Sequence, residues 1–388
     1  MFADLSTSTT STAAGRILLT AALFGAVPLG ALAAQPTRAT VLADIAVTTL
    51  ADALPAKLSD HSATVLNDKI YIVGGCAGDQ VAAGCPALSQ ALYIFDPATA
   101  TFTTGANMPA ARYRHSAEAI GTKLYIFGGR LLNDNLVATV DIFDSVAGSW
   151  STSTTQLDAT QQTSDACSWT MGLDIYVAGG YTGAYAAKKS VFKWTPTSAN
   201  AAWTAVADMT NPRGDCRAVV RRDHTKAWVL GGYDSADWTK PVAHFESFDV
   251  TTGAWAGMTA LSTARGDKAA VFWNDAVYAL GGEMKDSAGN TVVLDTIEAY
   301  DAPTNAWTTA TARLPTPKFR YAAAHYGGSI YVFGGQTTAV GTTHPVTSEV
   351  YVIASVSSCA TPASAATRAG STALATVALA ATAAALLA

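Results

Sequence analysis

The sequence lacks the short motifs that most often mark an enzyme. It has no HExxH zinc site, no CxxC pair, no Walker-type phosphate loop and no G-x-S-x-G nucleophile elbow. It also has no Asn-x-Ser/Thr sequon, so N-glycosylation is not expected. These absences argue against metalloprotease, P-loop and α/β-hydrolase chemistry, and we predict no bound cofactor.

Charge is also scarce. Asp, Glu, Lys and Arg make up only 14% of the 388 residues, and the net charge is −5. Lys and Arg are spread along the chain without a basic cluster. The composition therefore argues against a nucleic-acid partner.

The chain contains a repeat instead. A double glycine follows a short apolar run six times, in YIVGG, YIFGG, YVAGG, WVLGG, YALGG and YVFGG. Successive pairs are 50–54 residues apart, and a period near fifty is typical of propeller arrays. The pairs begin at Gly74, Gly128, Gly179, Gly231, Gly281 and Gly334.

Each repeat holds four short β-rich runs separated by turn residues, and the fourth run carries an aromatic residue in the first five repeats. The double glycine, the aromatic three residues before it and the tryptophan after it resemble the kelch repeat over residues 45–354. The resemblance implies an all-β, six-bladed kelch-type β-propeller in which each repeat is one four-stranded blade. The fourth-run aromatics are Phe102, Trp150, Trp203, Trp255 and Trp307.

The sixth repeat lacks its fourth run, and the N-terminal segment supplies a match. Residues 45–57 align without gaps on residues 305–317, which puts Val47 in the slot of Trp307. We therefore predict that an N-terminal strand completes the last blade and closes the ring, which removes an exposed sheet edge. Blades bury their faces on one another, so the ring is expected to be one domain and a monomer.

Both ends of the chain carry apolar runs outside the repeats. Residues 1–33 are predicted to be a signal peptide, because Arg16 precedes an apolar run and residues 31–33 fit a small-residue cleavage site; a membrane anchor is the alternative. Residues 355–372 form a small and polar linker before the apolar tail 373–388, which together resemble a GPI-anchor signal. The alternative is an alanine-rich, low-complexity tail. We expect an extracellular or cell-surface protein, with membrane attachment through this tail.

Five cysteines complete the inventory. Cys76 and Cys85 flank one short loop, and in an exported chain we predict that they form a disulfide. Cys167 and Cys216 begin successive first strands, where they either pair or are two small buried residues, with the second interpretation preferred. Cys359 lies outside the repeats.

The turns that lead into each blade should open on the same face as the loops between second and third strands. Loops on a rigid scaffold often carry binding residues, and we call this side the loop face. Aligned by repeat, each turn offers two candidate ligand positions. The first position supplies Arg112, Arg213, Arg265 and Lys318, and the position two residues on supplies Arg114, Asp215, Asp267 and Arg320.

Three loop residues complete the predicted ligand-binding set: Arg130, Tyr233 and Glu283. A face of mixed charge with aromatic residues suits an acidic peptide or a hydroxylated, acidic ligand. The structural alternative is that each arginine pairs with an aspartate of its own or a neighbouring turn and locks blade to blade. His61 and His115 are equivalent in adjacent repeats but lack a third ligand, so we predict no metal site.

Two of these turns, at residues 213–215 and 265–267, spell Arg-Gly-Asp, which we attribute to descent of the repeat rather than to adhesion. The leading hypothesis for function is a non-catalytic scaffold that binds a protein or carbohydrate ligand through the loop face. The enzymatic alternative resembles the sugar-acid mutarotases, with Arg112, Arg213 and Arg265 on the substrate carboxylate and Glu283 or an aspartate as the acid–base. A galactose-oxidase-like enzyme is less favoured, because its metal ligands cannot be placed.

Overall fold

The computed structural model describes residues 45–79, 84–198, 201–234, 240–339 and 343–356. The predicted signal peptide, the apolar tail, most of the predicted linker and Cys359 lie outside these residues. No helix within the described ranges is long and apolar enough to cross a membrane.

The fold is built from short strands of two to eight residues, numbered here in chain order. They are β1 (Ile45–Thr49), β2 (Leu58–Ser59), β3 (Ser62–Leu66), β4 (Lys69–Val73), β5 (Cys76–Ala77), β6 (Leu92–Asp96), β7 (Thr101–Thr104), β8 (Ser116–Ile120), β9 (Lys123–Phe127), β10 (Asp141–Asp144), β11 (Ser149–Thr152), β12 (Cys167–Met171), β13 (Asp174–Ala178), β14 (Val191–Trp194), β15 (Thr204–Val206), β16 (Arg217–Val220), β17 (Lys226–Leu230), β18 (Phe245–Asp249), β19 (Ala254–Gly257), β20 (Ala269–Trp273), β21 (Ala276–Leu280), β22 (Glu283–Lys285), β23 (Thr291–Val293), β24 (Thr296–Asp301), β25 (Ala306–Arg313), β26 (Ala322–Tyr326), β27 (Ser329–Phe333) and β28 (Val350–Ser355).

Within the described ranges these strands form six four-stranded antiparallel sheets, which are the blades of a propeller. The first strands of neighbouring blades contact one another around a central axis, and the contact of β26 with β3 closes the circle. The pairs β2–β5 and β22–β23 form two further short ribbons. Blade 1 is β3-β4-β6-β7, blade 2 is β8-β9-β10-β11, blade 3 is β12-β13-β14-β15, blade 4 is β16-β17-β18-β19, blade 5 is β20-β21-β24-β25, and blade 6 is β26-β27-β28-β1.

The N-terminal strand closes the ring, as the sequence predicts. Strand β1 pairs antiparallel with β28 and becomes the fourth strand of blade 6. Val47 lies opposite Ile353, just as Trp307 lies opposite Tyr300 in blade 5. The predicted alignment of Val47 with Trp307 is therefore confirmed residue for residue.

Each fourth-strand aromatic joins its blade to the one before it. Within the blade, Trp150 packs 5.2 Å from Phe143 and Trp307 packs 5.4 Å from Tyr300, measured between ring centroids. The indole N–H of Trp307 donates to the carbonyl of Thr259 in the preceding linker at 2.8 Å. Since a buried N–H needs an acceptor, tryptophan fits this position better than another aromatic.

The double glycines fasten each blade to the next. A side chain on the first glycine of any pair would place its Cβ 2.4–2.8 Å from a carbonyl oxygen of the following blade. The N–H of the second glycine donates to that same oxygen at 2.8–3.0 Å. Both residues also have positive φ, which costs other L-residues free energy. The six acceptors are Leu58, Arg112, Thr163, Arg213, Arg265 and Lys318.

Two disulfides lie within the described ranges. Cys76 and Cys85 are bonded across their short loop, with their Cα atoms 5.7 Å apart. Cys167 and Cys216 are also bonded, with their Cα atoms 5.5 Å apart. The second bond joins the first strands of blades 3 and 4, where the sequence favoured two unpaired buried thiols.

Candidate functional site

Six equivalent turn residues surround the axis on the loop face, and we call them the mouth ring. All six have positive φ between 50° and 57°. Five of their six backbone N–H groups donate to the carbonyl of the neighbouring ring member, each at 2.9 Å. Backbone hydrogen bonds therefore link the six turns to one another, and the side chains of the ring lie at the mouth of the central channel. Its members are Asp60, Arg114, Asp165, Asp215, Asp267 and Arg320.

The two arginines of the mouth ring stand on either side of Asp60. Arg114 lies 3.6 Å from Asp60 and 3.8 Å from Asp165, and Arg320 lies 3.8 Å from Asp60 and 3.1 Å from Asp267. Each guanidinium thus bridges two carboxylates. One side of the mouth is basic, and the opposite arc, from Asp165 through Asp215 to Asp267, is acidic.

Crowding of carboxylates in the acidic arc changes their protonation. Burial and the nearby charges of Asp267 and Asp165 raise the pKa of Asp215 well above its usual value. Burial also opposes the charge of Asp267, but Arg320 and a hydrogen bond from Asp215 outweigh it, so the pKa of Asp267 is lowered. Asp215 therefore holds the proton that the two carboxyls share, and like charges at close range cannot both ionise.

Two tyrosines explain the paired Arg-Gly-Asp turns. The hydroxyl of Tyr181 donates to Asp215 at 2.9 Å, and that of Tyr233 donates to Glu283 at 2.5 Å. Their rings lie against Gly214 and Gly266, where a Cβ would come within 2.2 Å and 1.9 Å of ring carbons. Each glycine is needed because the tyrosine of the preceding blade covers it. Both tyrosines and Glu283 are buried, and burial followed by the charge of Asp267 raises the pKa of Glu283.

Four of the basic residues that the sequence predicts to bind a ligand do not face the loop face. Their side chains lie inside the blades. Each is fully buried and ion-paired with a carboxylate on or next to the third strand of its own blade. Their partners are not the turn aspartates of the structural alternative. These cations therefore stabilise single blades, and three of them are the arginines that the mutarotase alternative required. The pairs are Arg112–Asp141, Arg213–Glu246, Arg265–Glu298 and Lys318–Glu349.

Arg130 joins two loops of the loop face. Its guanidinium lies 3.6 Å from the ring centroid of Tyr185 and donates to the carbonyls of Asp134 and Thr182 at 2.8 and 2.7 Å. The Tyr185 hydroxyl donates to Asp134 at 2.7 Å. Leu132, in the same loop as Asp134, is 60% exposed. The loops of blades 2 and 3 are thus tied into one surface, which we call the blade 2–3 platform (residues 131–137 and 182–187).

Below the mouth ring the channel widens into a cavity of about 180 Å³. Its walls carry small residues from the first strands, among them Ala63, Ala117 and Ala270. One basic residue, Arg217 at the start of β16, interrupts this lining. Arg217 was not singled out from the sequence, although its position holds Ser, Cys or Ala in the other five repeats.

Glu118 is a second first-strand residue that was not singled out from the sequence. It lies in the middle of β8, and its two carboxyl oxygens accept from Ser168 at 2.6 Å and Thr170 at 2.8 Å on β12. Burial raises the pKa of Glu118 to about 7, against the opposing effect of these two hydrogen bonds. A carboxyl among the alanines, serines and β-branched residues of the first strands is the signal that could have drawn attention to it.

Burial lowers the pKa of His61 and of His115 to about 3, so both are neutral at physiological pH. His115 shares a hydrogen bond of 3.0 Å with Ser62. Among the described residues no group of three or more His, Cys, Asp or Glu side chains has the arrangement of a metal site.

Comparisons with known proteins agree with this architecture. The family model of the attractin/LZTR1 β-propeller matches residues 87–342, and the model of the kelch motif matches residues 57–109. The chain is 26% identical to Kelch-like protein terF of Aspergillus terreus over 74% of its length and 63% of that protein. It is also 26% identical to Kelch-like protein 23 of Mus musculus, over 70% of its length and 44% of that protein. The chain thus spans less than two thirds of these relatives.

A solved structure described as that of YjhT superposes with a TM-score of 0.63 at 16% identity. The match covers 76% of this chain and 94% of that one. At this level of identity the likeness concerns the fold.

Proposed function

Because the chain belongs to the kelch-repeat β-propeller family, we propose that it is a non-catalytic scaffold that binds a protein partner through its loop face, outside the cell or at its surface. The family supports this proposal because a ring of blades is a scaffold on which the connecting loops can differ in sequence and can bind.

The observation that carries the proposal is the blade 2–3 platform. Leu132 is 60% exposed and lies in the loop of blade 2. The loop of blade 3 contacts that loop through Tyr185, which binds Asp134 and packs on Arg130. Arg130 is fully buried and holds the two loops in place, while Tyr185 is half-buried and reaches the surface. Tyrosine is enriched in protein interfaces, and a loop that is ordered before binding loses less entropy when a partner arrives. Leu132 adds an exposed apolar contact beside the half-buried Tyr185, and we propose that these two side chains form the centre of the interface.

Export is supported by the two disulfides. Bonds such as Cys76–Cys85 and Cys167–Cys216 persist in oxidising compartments and are rare in the cytosol. Secretion is tested by N-terminal sequencing of the protein recovered from medium or from the cell surface. The proposal expects a mature chain that starts close to residue 34, and intact protein confined to the cytosol would contradict it.

The platform is tested by two leucine substitutions that differ only in their face. Leu132→Asp places a charge on the platform, whereas Leu173→Asp places one in the β12–β13 hairpin on the opposite face, where leucine is 56% exposed. The immobilised wild-type chain is used to capture extracellular proteins, and each captured protein is purified and tested for direct binding. Those that bind are then titrated against both variants. We expect Leu132→Asp to weaken binding about tenfold or more, and Leu173→Asp to leave it unchanged.

Equal affinity of both variants would contradict the assignment of the platform. Capture of glycans instead of proteins, with the same dependence on Leu132, would replace the protein partner by a carbohydrate. Turnover of a sugar acid by the purified chain would replace the scaffold by an enzyme. The buried Arg112, Arg213 and Arg265 give that enzyme no support.

A further inference from the structure

The cavity below the mouth ring contains an arginine whose bonding capacity is mostly unused. The guanidinium of Arg217 donates to the carbonyl of Cys216 at 2.8 Å. Among the described residues no carboxylate oxygen lies within 4.0 Å of it. A guanidinium has five N–H donors in a planar fork that matches a carboxylate. Arg217 is therefore available to an anionic group inside the cavity.

The position of this charge follows from its effects on neighbouring groups. Burial lowers the pKa of Lys268 well below its usual value, and the charge of Arg217 adds to that effect. Arg217 also contributes, after Arg320, Asp215 and Arg114, to the lowered pKa of Asp267. Arg217 lines the cavity, and its charge acts on the turn that leads into blade 5.

The turn into the neighbouring blade 3 presents an acidic group with one oxygen that lacks a donor. Asp165 is 8% exposed, and its Oδ2 accepts no hydrogen bond among the described residues. The nearest cation is Arg114, whose Nη1 lies 3.8 Å from that oxygen and which also serves Asp60. A buried carboxylate oxygen without a donor costs free energy until a ligand or a water supplies one.

We propose that this cavity binds a small zwitterion of the α-amino acid class, with its carboxylate on Arg217 and its ammonium group beside Asp165. A simple carboxylic acid would pair with Arg217 but would add negative charge next to Asp60, Asp165 and Asp267. A simple amine would meet the aspartates but would leave Arg217 unpaired. A ligand with both charges satisfies Arg217 and Asp165 together.

The volume of the cavity sets the size of the ligand. At about 180 Å³ it is slightly larger than an engineered cavity of about 150 Å³ that takes up benzene. That space suits alanine or serine and excludes a folded peptide. Asp60, Arg114 and Arg320 line both the cavity and the mouth, so the ligand would enter from the loop face. The proposal does not depend on the platform or on its partner.

The test is calorimetric titration of the whole chain with L-serine and two derivatives. N-acetylserine keeps the carboxylate and loses the cation, and serine methyl ester keeps the cation and loses the carboxylate. We expect serine to bind and each derivative to bind about 10- to 100-fold more weakly, since each loses a charge-assisted contact. No heat with serine, alanine or glycine at up to about 10 mM would overturn the proposal.

Equal binding of serine and N-acetylserine would make the cavity a simple carboxylate site and would also overturn the zwitterion. The same holds if N-acetylneuraminate binds and serine does not. Arg217→Gln should weaken serine binding about 10- to 100-fold, whereas Arg221→Gln should not. Arg221 is a matched control because it follows β16 directly and pairs with Asp223 at the surface.

Two further measurements separate binding from folding. The melting temperature of Arg217→Gln should match that of the wild type within a few degrees, because among the described residues the side chain donates only to the carbonyl of Cys216. If this variant does not fold, Arg217→Lys, which keeps the charge and loses the fork, takes its place. Unchanged serine affinity in a folded Arg217→Lys and a folded Asp165→Asn would overturn the proposal.

Discussion

Replacing Arg265 with methionine should destabilise the propeller strongly, because the change leaves a buried carboxylate without its counter-ion. Arg265 is fully buried and its partner Glu298 is 1% exposed. The other carboxyl oxygen of Glu298 accepts the backbone N–H of Ser262 at 3.1 Å, so the carboxylate also holds the linker into blade 5. Methionine keeps the apolar length of the arginine stem, and the loss is therefore mainly electrostatic.

The magnitude follows from the burial. Removing one partner of a buried ion pair typically costs about 3–5 kcal/mol, whereas replacing both partners by well-packed apolar residues is often close to neutral. Arg265 also donates to the carbonyl of Gly281 at 2.9 Å, and that carbonyl loses a donor. We therefore expect the upper half of this range for the single substitution.

Blade 1 supplies the design of the compensating variant. Leu58 and Tyr93 occupy the positions of Arg265 and Glu298 there, and both belong to one apolar cluster. The double substitution Arg265→Leu with Glu298→Tyr copies that pair into blade 5. It should recover most of the lost stability and fall within about 2 kcal/mol of the wild type.

Equilibrium unfolding in urea, followed by tryptophan fluorescence, measures both variants. The dependence of the free energy of unfolding on urea should stay constant, because neither change alters the surface exposed on unfolding. A single variant that loses less than about 1 kcal/mol would refute the reasoning. A double variant as unstable as the single one would show that the unpaired carboxylate is not the source of the loss.

Three other outcomes are expected. The pKa of Glu118 is raised to about 7 in the folded chain, so the folded chain binds the proton more tightly than the unfolded one and loses stability between about pH 5 and pH 7. Glu118→Gln should abolish that loss, and its free energy of unfolding at pH 8 should exceed that of the wild type by on the order of 2 kcal/mol. Parallel pH profiles of stability for the two proteins would contradict this. Gly128→Ala should cost about 3 kcal/mol or more of stability, because the added Cβ would lie 2.6 Å from a carbonyl oxygen. Gly121 has a similar φ but no atom within 4 Å of an added Cβ, so Gly121→Ala should cost only the roughly 1–2 kcal/mol of a positive φ. Equal losses for the two variants in thermal unfolding would count against the blade-to-blade contact. Deleting residues 41–54 removes β1 and should give insoluble or unfolded protein, and a soluble product with an unchanged melting temperature would rule out closure by that strand.

The sequence was sufficient to predict the closed ring of six blades, because the repeat determines the number of blades and the order of their strands. The six aligned copies predict the order of the strands, and the gap-free match of residues 45–57 to residues 305–317 places Val47 in the slot of Trp307. Periodicity records which residues are equivalent, and equivalent residues occupy equivalent places when each blade packs only on its neighbours.

The direction of each turn side chain could not be obtained in the same way. Arg265 and Asp267 are two residues apart in one turn, but the first points into its blade and the second into the channel mouth. Asp267 has a positive φ of 50°, and a sequence does not reveal that backbone angle at an aspartate. The third strands of blades 4 and 5 carry the carboxylates Glu246 and Glu298. These residues were the signal that Arg213 and Arg265 pair inside their blades and not with the turn aspartates.

Closure by β1 also has a consequence during synthesis. Ile45 leaves the ribosome among the first residues of the ring, and its partner Ser355 is among the last. At roughly 5–20 residues per second, β1 waits on the order of 15–60 s for β28. Blades 1 to 5 have all their strands in chain order and can form in that interval, whereas blade 6 cannot. The nascent propeller is therefore an open arc with one unpaired strand at its beginning, and any factor that protects that strand must act before the last repeat emerges.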